Sequence, residues 1–408
     1  MKKIPILYLI LFFTVVVIHI FANEAGQNML MLGVMGYCAI LLPSRIKRTD
    51  AWDLLPILIF VIMFCSQYIH PKEFRLSTVL YSAMFMIQCV VFRTYLNEDF
   101  KIDEYMKFIK MLIYLFTGVL VVQQALQLVH IQGFNRVFFD GTPWKMNSLS
   151  QEPSCLPPTM MLLMLSYAKM KQLVCEETMD ITELWRSDKK LCIAGLYTMV
   201  GCGTTSGIFI FPVFMAYFFQ KQIIKSLPIV SVIGFIGFWV FANLFPYVVE
   251  RFTNIFEVIG EMDPQLMYAA DPSGSARIAP YMFLYNEFNL KDFNFWFGHG
   301  IDYATHYFSQ MLVGKEIGSE IGIGGLVNFL YDYGLIAMIV FLCYIRKIGF
   351  KSFISYEFIA WLLVFSIKGF NISILWGSIL FFSANKYFES IYIGDYENIN
   401  NNSDMECR

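Results

Sequence analysis

The chain has 408 residues, of which 57% are apolar, 17% aromatic and 15% charged, with a formal net charge of -2. Repeated apolar runs near the thickness of a bilayer core dominate it, which excludes a string of soluble domains. The basic residues stand in short scattered clusters, which argues against a nucleic-acid partner.

Such runs satisfy their own backbone hydrogen bonds only as helices in lipid, and no period-two barrel pattern occurs. Residues 4–22, preceded by Lys2 and Lys3, form the first. A signal peptide shows the same order, but this core is longer than a usual h-region and no small-x-small cleavage site follows. A retained helix is therefore expected. Further runs fall at 27–43, 52–69, 77–92, 106–128, 153–170, 190–203, 206–220 and 226–249, then at 324–345, 353–367 and 370–385. The pattern predicts an all-α, polytopic membrane protein of about twelve transmembrane helices, a single integral membrane domain over 1–408. Within it lie one large outer loop, 250–323, and an Asn-rich cytoplasmic tail, 386–408. The nine cysteines show no C-x-x-C spacing and read as small packing residues inside the runs.

Lysine and arginine placement orients the chain. With the N-terminus inside, the inner connections carry Arg45, Lys47 and Arg48, then Arg93 and Lys101, then Lys169, Lys171, Arg186, Lys189 and Lys190. Lys221, Lys225, Arg346, Lys347 and Lys351 follow on the same side. The outer connections hold chiefly Lys72, Arg75, Arg136 and Lys145, with four more in the long span. The asymmetry is that of the positive-inside rule, with both termini inside and 250–323 outside. The two short runs around 190–220 meet at a Gly/Thr/Ser-rich break, Gly201 to Gly207. It reads either as a tight outer hairpin or as the floor of an outward-facing site.

Several polar residues on the outer side are able to carry chemistry. Arg277 ends the stretch Asp271-Pro272-Ser273-Gly274-Ser275-Ala276, which reads as a turn and helix N-cap before an amphipathic segment, 278–288. A helix N-terminus and a guanidinium together suit a phosphate. Arg251 stands at the outer end of the preceding run. The alternative for both arginines is snorkelling to water or lipid headgroups. Glu152, in Ser148-Leu149-Ser150-Gln151-Glu152-Pro153-Ser154, is either a helix-end charge or a carboxylate for a sugar hydroxyl. Partial burial there is expected to raise its pKa towards a general base. All five histidines fall on or near the outer side, and His299, between Gly298 and Gly300, is the one best placed to touch a ligand. No metal spacing is present, and no cofactor is expected. Tyr268, Tyr281, Tyr285, Trp296, Tyr303 and Tyr307 suit a membrane interface or the apolar faces of sugars.

The order of these features resembles the O-antigen polymerase and ligase superfamily of bacterial envelope glycan assembly. The resemblance is clearest over 148–345: the SQEPS segment, the helix pair broken at Thr204-Thr205-Ser206-Gly207, Arg251 and the SGSAR arginine, and Gly298-His299-Gly300. Glu320, Gly324 to Asn328 and Tyr333 to Ile336 complete it. It implies metal-independent inverting glycosyl transfer on the outer face of the bacterial plasma membrane, from a glycan on undecaprenyl pyrophosphate. In that reading Arg251 and Arg277 hold the pyrophosphate, Glu152 or His299 serves the acceptor hydroxyl, and Glu320 and Asn328 contact substrate. The implied partners are a chain-length regulator and a flippase. Ligases of the superfamily commonly carry a histidine before the asparagine where this chain has Val327, which favours an oligosaccharide repeat unit polymerase. A twelve-helix transporter or lipid-linked glycan flippase is the rival from another class. Against it stand the long outer span and helix centres almost free of charge.

Overall fold

The computed structural model describes residues 6–19, 28–49, 51–70, 74–96, 100–131, 133–137, 143–175, 181–218, 243, 246–270, 272–313 and 324–406, and structural statements concern these alone. Eight helices follow the first eight apolar runs: α1 (Ile6–Val15), α2 (Met29–Arg45), α3 (Leu55–Ile69), α4 (Leu76–Leu96), α5 (Ile102–Leu128), α6 (Leu156–Cys175), α7 (Ile181–Gly201) and α8 (Thr205–Phe218). Most of the predicted run 226–249 lies outside the described residues. The predicted outer loop is itself helical, with α9 (Pro246–Val258), α10 (Pro264–Ala270), α11 (Pro272–Glu287), α12 (Phe293–Phe297) and α13 (Tyr303–Val313). The chain closes with α14 (Gly325–Gly349), α15 (Tyr356–Ile367) and α16 (Ser373–Glu406), the last running through much of the predicted tail.

Four helical stretches are long and apolar enough to cross a membrane: Ala51–Ile69, which includes α3, then α4, α5 and α14. Helices α1, α2 and α15 are shorter but apolar. Ile57, Val61, Leu80, Val121 and Ile339 stand exposed along these helices, where a soluble protein would place polar groups. Those are the properties of a helical membrane protein, although length and hydropathy alone support fewer spans than twelve.

Two helices form the centre. Every side chain of α6 from Leu156 to Ala168 is buried, as is α16 from Ser373 to Asn385. A helix apolar all round belongs inside its neighbours rather than on a surface. The two are joined by Asn385 Nδ2, which donates to Ser166 Oγ at 2.9 Å. Contacts between helix ends tie the surrounding elements together. At one end, Val17 N–H donates to Leu149 O at 2.7 Å and Met146 N–H to Cys202 O at 3.1 Å. At the other, Arg93 pairs with Asp53 at 2.8 Å, Lys169 with Glu389 at 3.2 Å, and Lys386 donates to Phe350 O at 2.9 Å.

The predicted run 324–345 is interrupted. Gly334 has φ +81° inside α14, which leaves the carbonyls of Tyr331 and Asp332 without helical partners. The 298–300 loop fills that gap. His299 N–H donates to Tyr331 O at 2.8 Å, and Gly300 N–H to Asp332 O at 3.0 Å. Ser66 Oγ of α3 adds a bond to Asp332 O at 2.9 Å. A side chain on Gly298 or Gly334 would collide with the facing backbone, and both have positive φ. The Gly-His-Gly motif is thus the plug of a helix break, which its glycines allow to approach closely.

Candidate functional site at the mouth of the central helix

The segment leading into α6 is held by side-chain amides. Ser148 N–H donates to Gln123 Oε1 at 2.9 Å, Asn135 Nδ2 donates to Ser148 O at 2.8 Å, and Asn147 Nδ2 to Ser150 O at 3.0 Å. Ser148 Oγ donates to Phe116 O at 2.6 Å. Its φ of 51° is costly for a serine and persists where surroundings over-determine it. The network fixes the approach to Glu152, which stands just before the short turn Pro153–Cys155 at the start of α6, without a capping bond from its side chain. An acid there faces the positive end of a helix.

Facing it is Lys368, a residue the sequence reading passed over because it fills the short gap between runs 353–367 and 370–385. It follows α15 directly, its N–H bonded to Val364 O at 2.9 Å, so its cation lies at the negative end of that helix. The Lys368 side chain is 3% exposed and that of Glu152 45%. Lys368 Nζ donates to Glu152 Oε1 and to Ser154 Oγ, both at 2.6 Å. Ser154 Oγ in turn donates to Glu152 Oε1, closing a Lys–Ser–Glu triangle. Gly324 and Gly325 explain how α14 reaches this corner. A Cβ on Gly325 would strike the Lys368 carbonyl, and one on Gly324 would lie 2.6 Å from Ser366 O. That pair lets the start of α14 seat against the end of α15.

Arg277 joins the same corner. Its carbonyl is 3.6 Å from where a Gly324 Cβ would stand, and its charge acts on Glu152. One turn on, Tyr281 OH donates to Ser366 O at 3.4 Å. The helix begins at Pro272 rather than near Ile278, so Arg277 lies in its second turn, beyond the first four free N–H groups. Proline preset for the first helical position starts the helix early.

The ionisation of Glu152 overturns a sequence expectation. Burial does push its carboxyl up, as expected. The charge of Lys368, the hydrogen bonds from Lys368 and Ser154, and the charge of Arg277 outweigh that and hold it at about 2. It is a fixed carboxylate rather than a poised base.

The other residues singled out fall into three groups. Asn328 lies one turn into α14 from Gly324, and its Oδ1 is buried with no hydrogen-bond partner. That is a costly condition for an acceptor, and one a ligand donor would relieve. His299 belongs to the plug, with Nδ1 3.1 Å from Tyr331 O and its ring 6.2 Å from that of His70. Beside it Asp302, at φ 63°, accepts from Arg75 N–H at 2.8 Å and Thr78 Oγ1 at 2.9 Å. Arg251 lies on α9 with its side chain outside the described residues, and Glu320 lies outside them altogether. The structure therefore unites Glu152 and Arg277, adds Lys368 and Ser154, and assigns His299 to a separate cluster. Comparison with protein-family models, with curated proteins and with solved structures gives no match.

Proposed function

We propose that the chain is a membrane glycosyltransferase that joins oligosaccharide repeat units carried on undecaprenyl pyrophosphate, as the resemblance to O-antigen polymerases implies. The observation that carries this reading is the meeting of a buried lysine and a serine on one carboxylate at a helix mouth, with the charge of Arg277 acting on it. In this reading the chain crosses the bacterial plasma membrane about twelve times with both termini in the cytoplasm, and the mouth faces outward. Its partners are a flippase that delivers the lipid-linked oligosaccharide and a regulator of chain length.

The reaction makes one bond and breaks one. The acceptor hydroxyl oxygen attacks the anomeric carbon from the face opposite the pyrophosphate, the carbon–oxygen bond to phosphate breaks, and configuration inverts. Pyrophosphate is a good leaving group that needs charge neutralisation more than protonation, and Arg277 and Lys368 supply it. Glu152 receives the acceptor's hydroxyl as a hydrogen-bond acceptor and orients it. A bound pyrophosphate also draws Lys368 and Arg277 to itself, and that raises Glu152 from about 2. The carboxylate becomes a better proton acceptor when the donor is in place. The proton leaves through Glu152 or on the released phosphate.

Arg277→Ala is expected to abolish extension of lipid-linked repeat units while the protein still inserts. Normal-length polymer from that variant removes the proposed role. Chain-length analysis of surface glycan in a deletion strain separates the neighbouring activities. Single repeat units mark a lost polymerase, long polymer stranded on its carrier a lost ligase, and no glycan a lost flippase.

A further inference from the structure

Four cations from three parts of the chain meet at the end of α14 remote from the Glu152 mouth. Arg346 and Lys347 lie in its last turn, Lys351 follows the helix, and Lys386 comes from α16. Lys386 Nζ donates to Arg346 O at 3.3 Å and to Lys347 O at 2.5 Å, which pins its ammonium on the negative end of α14. The charges of Arg346, Lys347 and Arg93 all act on it. Arg346 Nη2 donates to Lys351 O at 3.1 Å, while its Nε has no hydrogen-bond partner. Among the described residues none of the four forms an ion pair with a carboxylate. The nearby acids are engaged by other cations, Asp53 by Arg93 at 2.8 Å and Glu389 by Lys169 at 3.2 Å. Apolar groups flank the corner. Lys347 Nζ stands 5.2 Å from the ring centroid of Trp52, and the Arg346 guanidinium 5.9 Å from that of Phe353. Trp52 and Phe353 are each nearly half exposed, and Ile354 is 87% exposed.

We infer that this corner binds the phosphate headgroup of an anionic phospholipid in the leaflet it faces. A solitary lysine near a helix end is ordinary in a membrane protein, because water and any headgroup satisfy it. Four converging cations without carboxylates repel one another, and a guanidinium N–H without an acceptor is costly. A phosphodiester supplies acceptors and negative charge together, and arginine suits it best. Trp52, Phe353 and Ile354 supply the apolar edge for the glycerol and the first acyl methylenes. A soluble anion would leave that edge in water, so the lipid is the occupant that answers both halves of the corner. The site requires only a membrane protein and stands independently of the transfer reading.

The test uses the full-length protein in uncharged detergent micelles. Thermal unfolding is followed as dioleoylphosphatidylglycerol or dioleoylphosphatidylcholine is added. Phosphatidylglycerol is expected to raise the melting temperature at concentrations where phosphatidylcholine does not. Lys347→Gln, at an exposed side chain, is expected to need roughly fivefold more phosphatidylglycerol for half the shift. Arg346→Gln combined with Lys347→Gln is expected to need roughly 25-fold more. Lys347→Gln alone decides the matter if the double variant fails to fold. Lys190→Gln, at an exposed lysine of α7 outside the corner, is expected to keep the wild-type response. Equal shifts with the two lipids overturn the site, as does an undiminished response of Lys347→Gln. A loss in Lys190→Gln equal to that in Lys347→Gln also overturns it, because general surface charge then suffices. Millimolar inorganic phosphate that reproduces the full shift without lipid overturns the lipid as occupant.

Discussion

Replacing Lys368 by Met reverses the sign of the Glu152 contribution to stability. In the wild-type chain the carboxyl is held down from 4.5 to about 2, so its stabilisation is present above the unfolded value near 4.5 and is lost as pH falls through about 2. At 1.36 kcal/mol per unit that drop sets a ceiling of about 3 kcal/mol. Glu152 is 45% exposed, so solvent screening reduces the figure to about 1–2 kcal/mol. Without Lys368 the burial that favours the neutral acid remains, and the carboxyl rises. The variant loses about 1–2 kcal/mol at neutral pH and recovers part of it on mild acidification. The assay is thermal unfolding of the purified protein in detergent between about pH 4 and 7, the interval where the two signs differ. Glu152→Gln isolates this carboxyl from all others, because Lys368→Met should change no pH slope in that background. Matching slopes in wild type and Lys368→Met would refute the argument that Lys368 sets the charge of Glu152.

Three further outcomes are expected. Gly334→Ala meets both a positive φ and a backbone collision with the Trp296 carbonyl, and should cost on the order of 3 kcal/mol, read as lost melting temperature. Gly33→Ala, whose Cβ has no atom within 4 Å, is the neutral or stabilising control. Asp302→Asn keeps a residue tolerant of left-handed backbone and an acceptor for Thr78, whereas Asp302→Ala keeps neither. Unfolding should therefore rank wild type above Asn above Ala, with roughly 1–3 kcal/mol between the ends. For sidedness, Tyr285→Cys is expected to react with an impermeant thiol probe in intact cells, and Lys190→Cys only after permeabilisation; the reverse pattern inverts the topology. These positions are exposed, so neither result is confounded by burial.

What the sequence made legible was whatever a single segment settles by itself. Apolar runs, their lengths and the clustering of Arg93, Lys169 and Arg346 towards one end follow from local composition and the cost of burying charge. The break at Gly334 is not settled by its own segment, because a lone glycine beside Asp332 lowers helix propensity yet is tolerated inside many apolar helices. Its cause lies in the 298–300 loop and in α3, because His299 N–H, Gly300 N–H and Ser66 Oγ supply the bonds the helix forgoes. Lys368 was missed for the same reason. Between two apolar runs it looks like any turn lysine, and its partner Glu152 is 216 residues away. The sign of Glu152's shift then depended on that unseen partner: burial alone predicts a raised carboxyl, and burial opposite a buried ammonium predicts the reverse. The span 250–323 shows the limit from the other side. Its polarity marked it as an outer loop, yet α11 packs Arg277 and Tyr281 against Gly324 and Ser366, while α12 and α13 flank the helix break. Its arginine matters because α11 is fixed against Gly324 and Ser366, at the end of the central bundle, which holds the cation near the mouth.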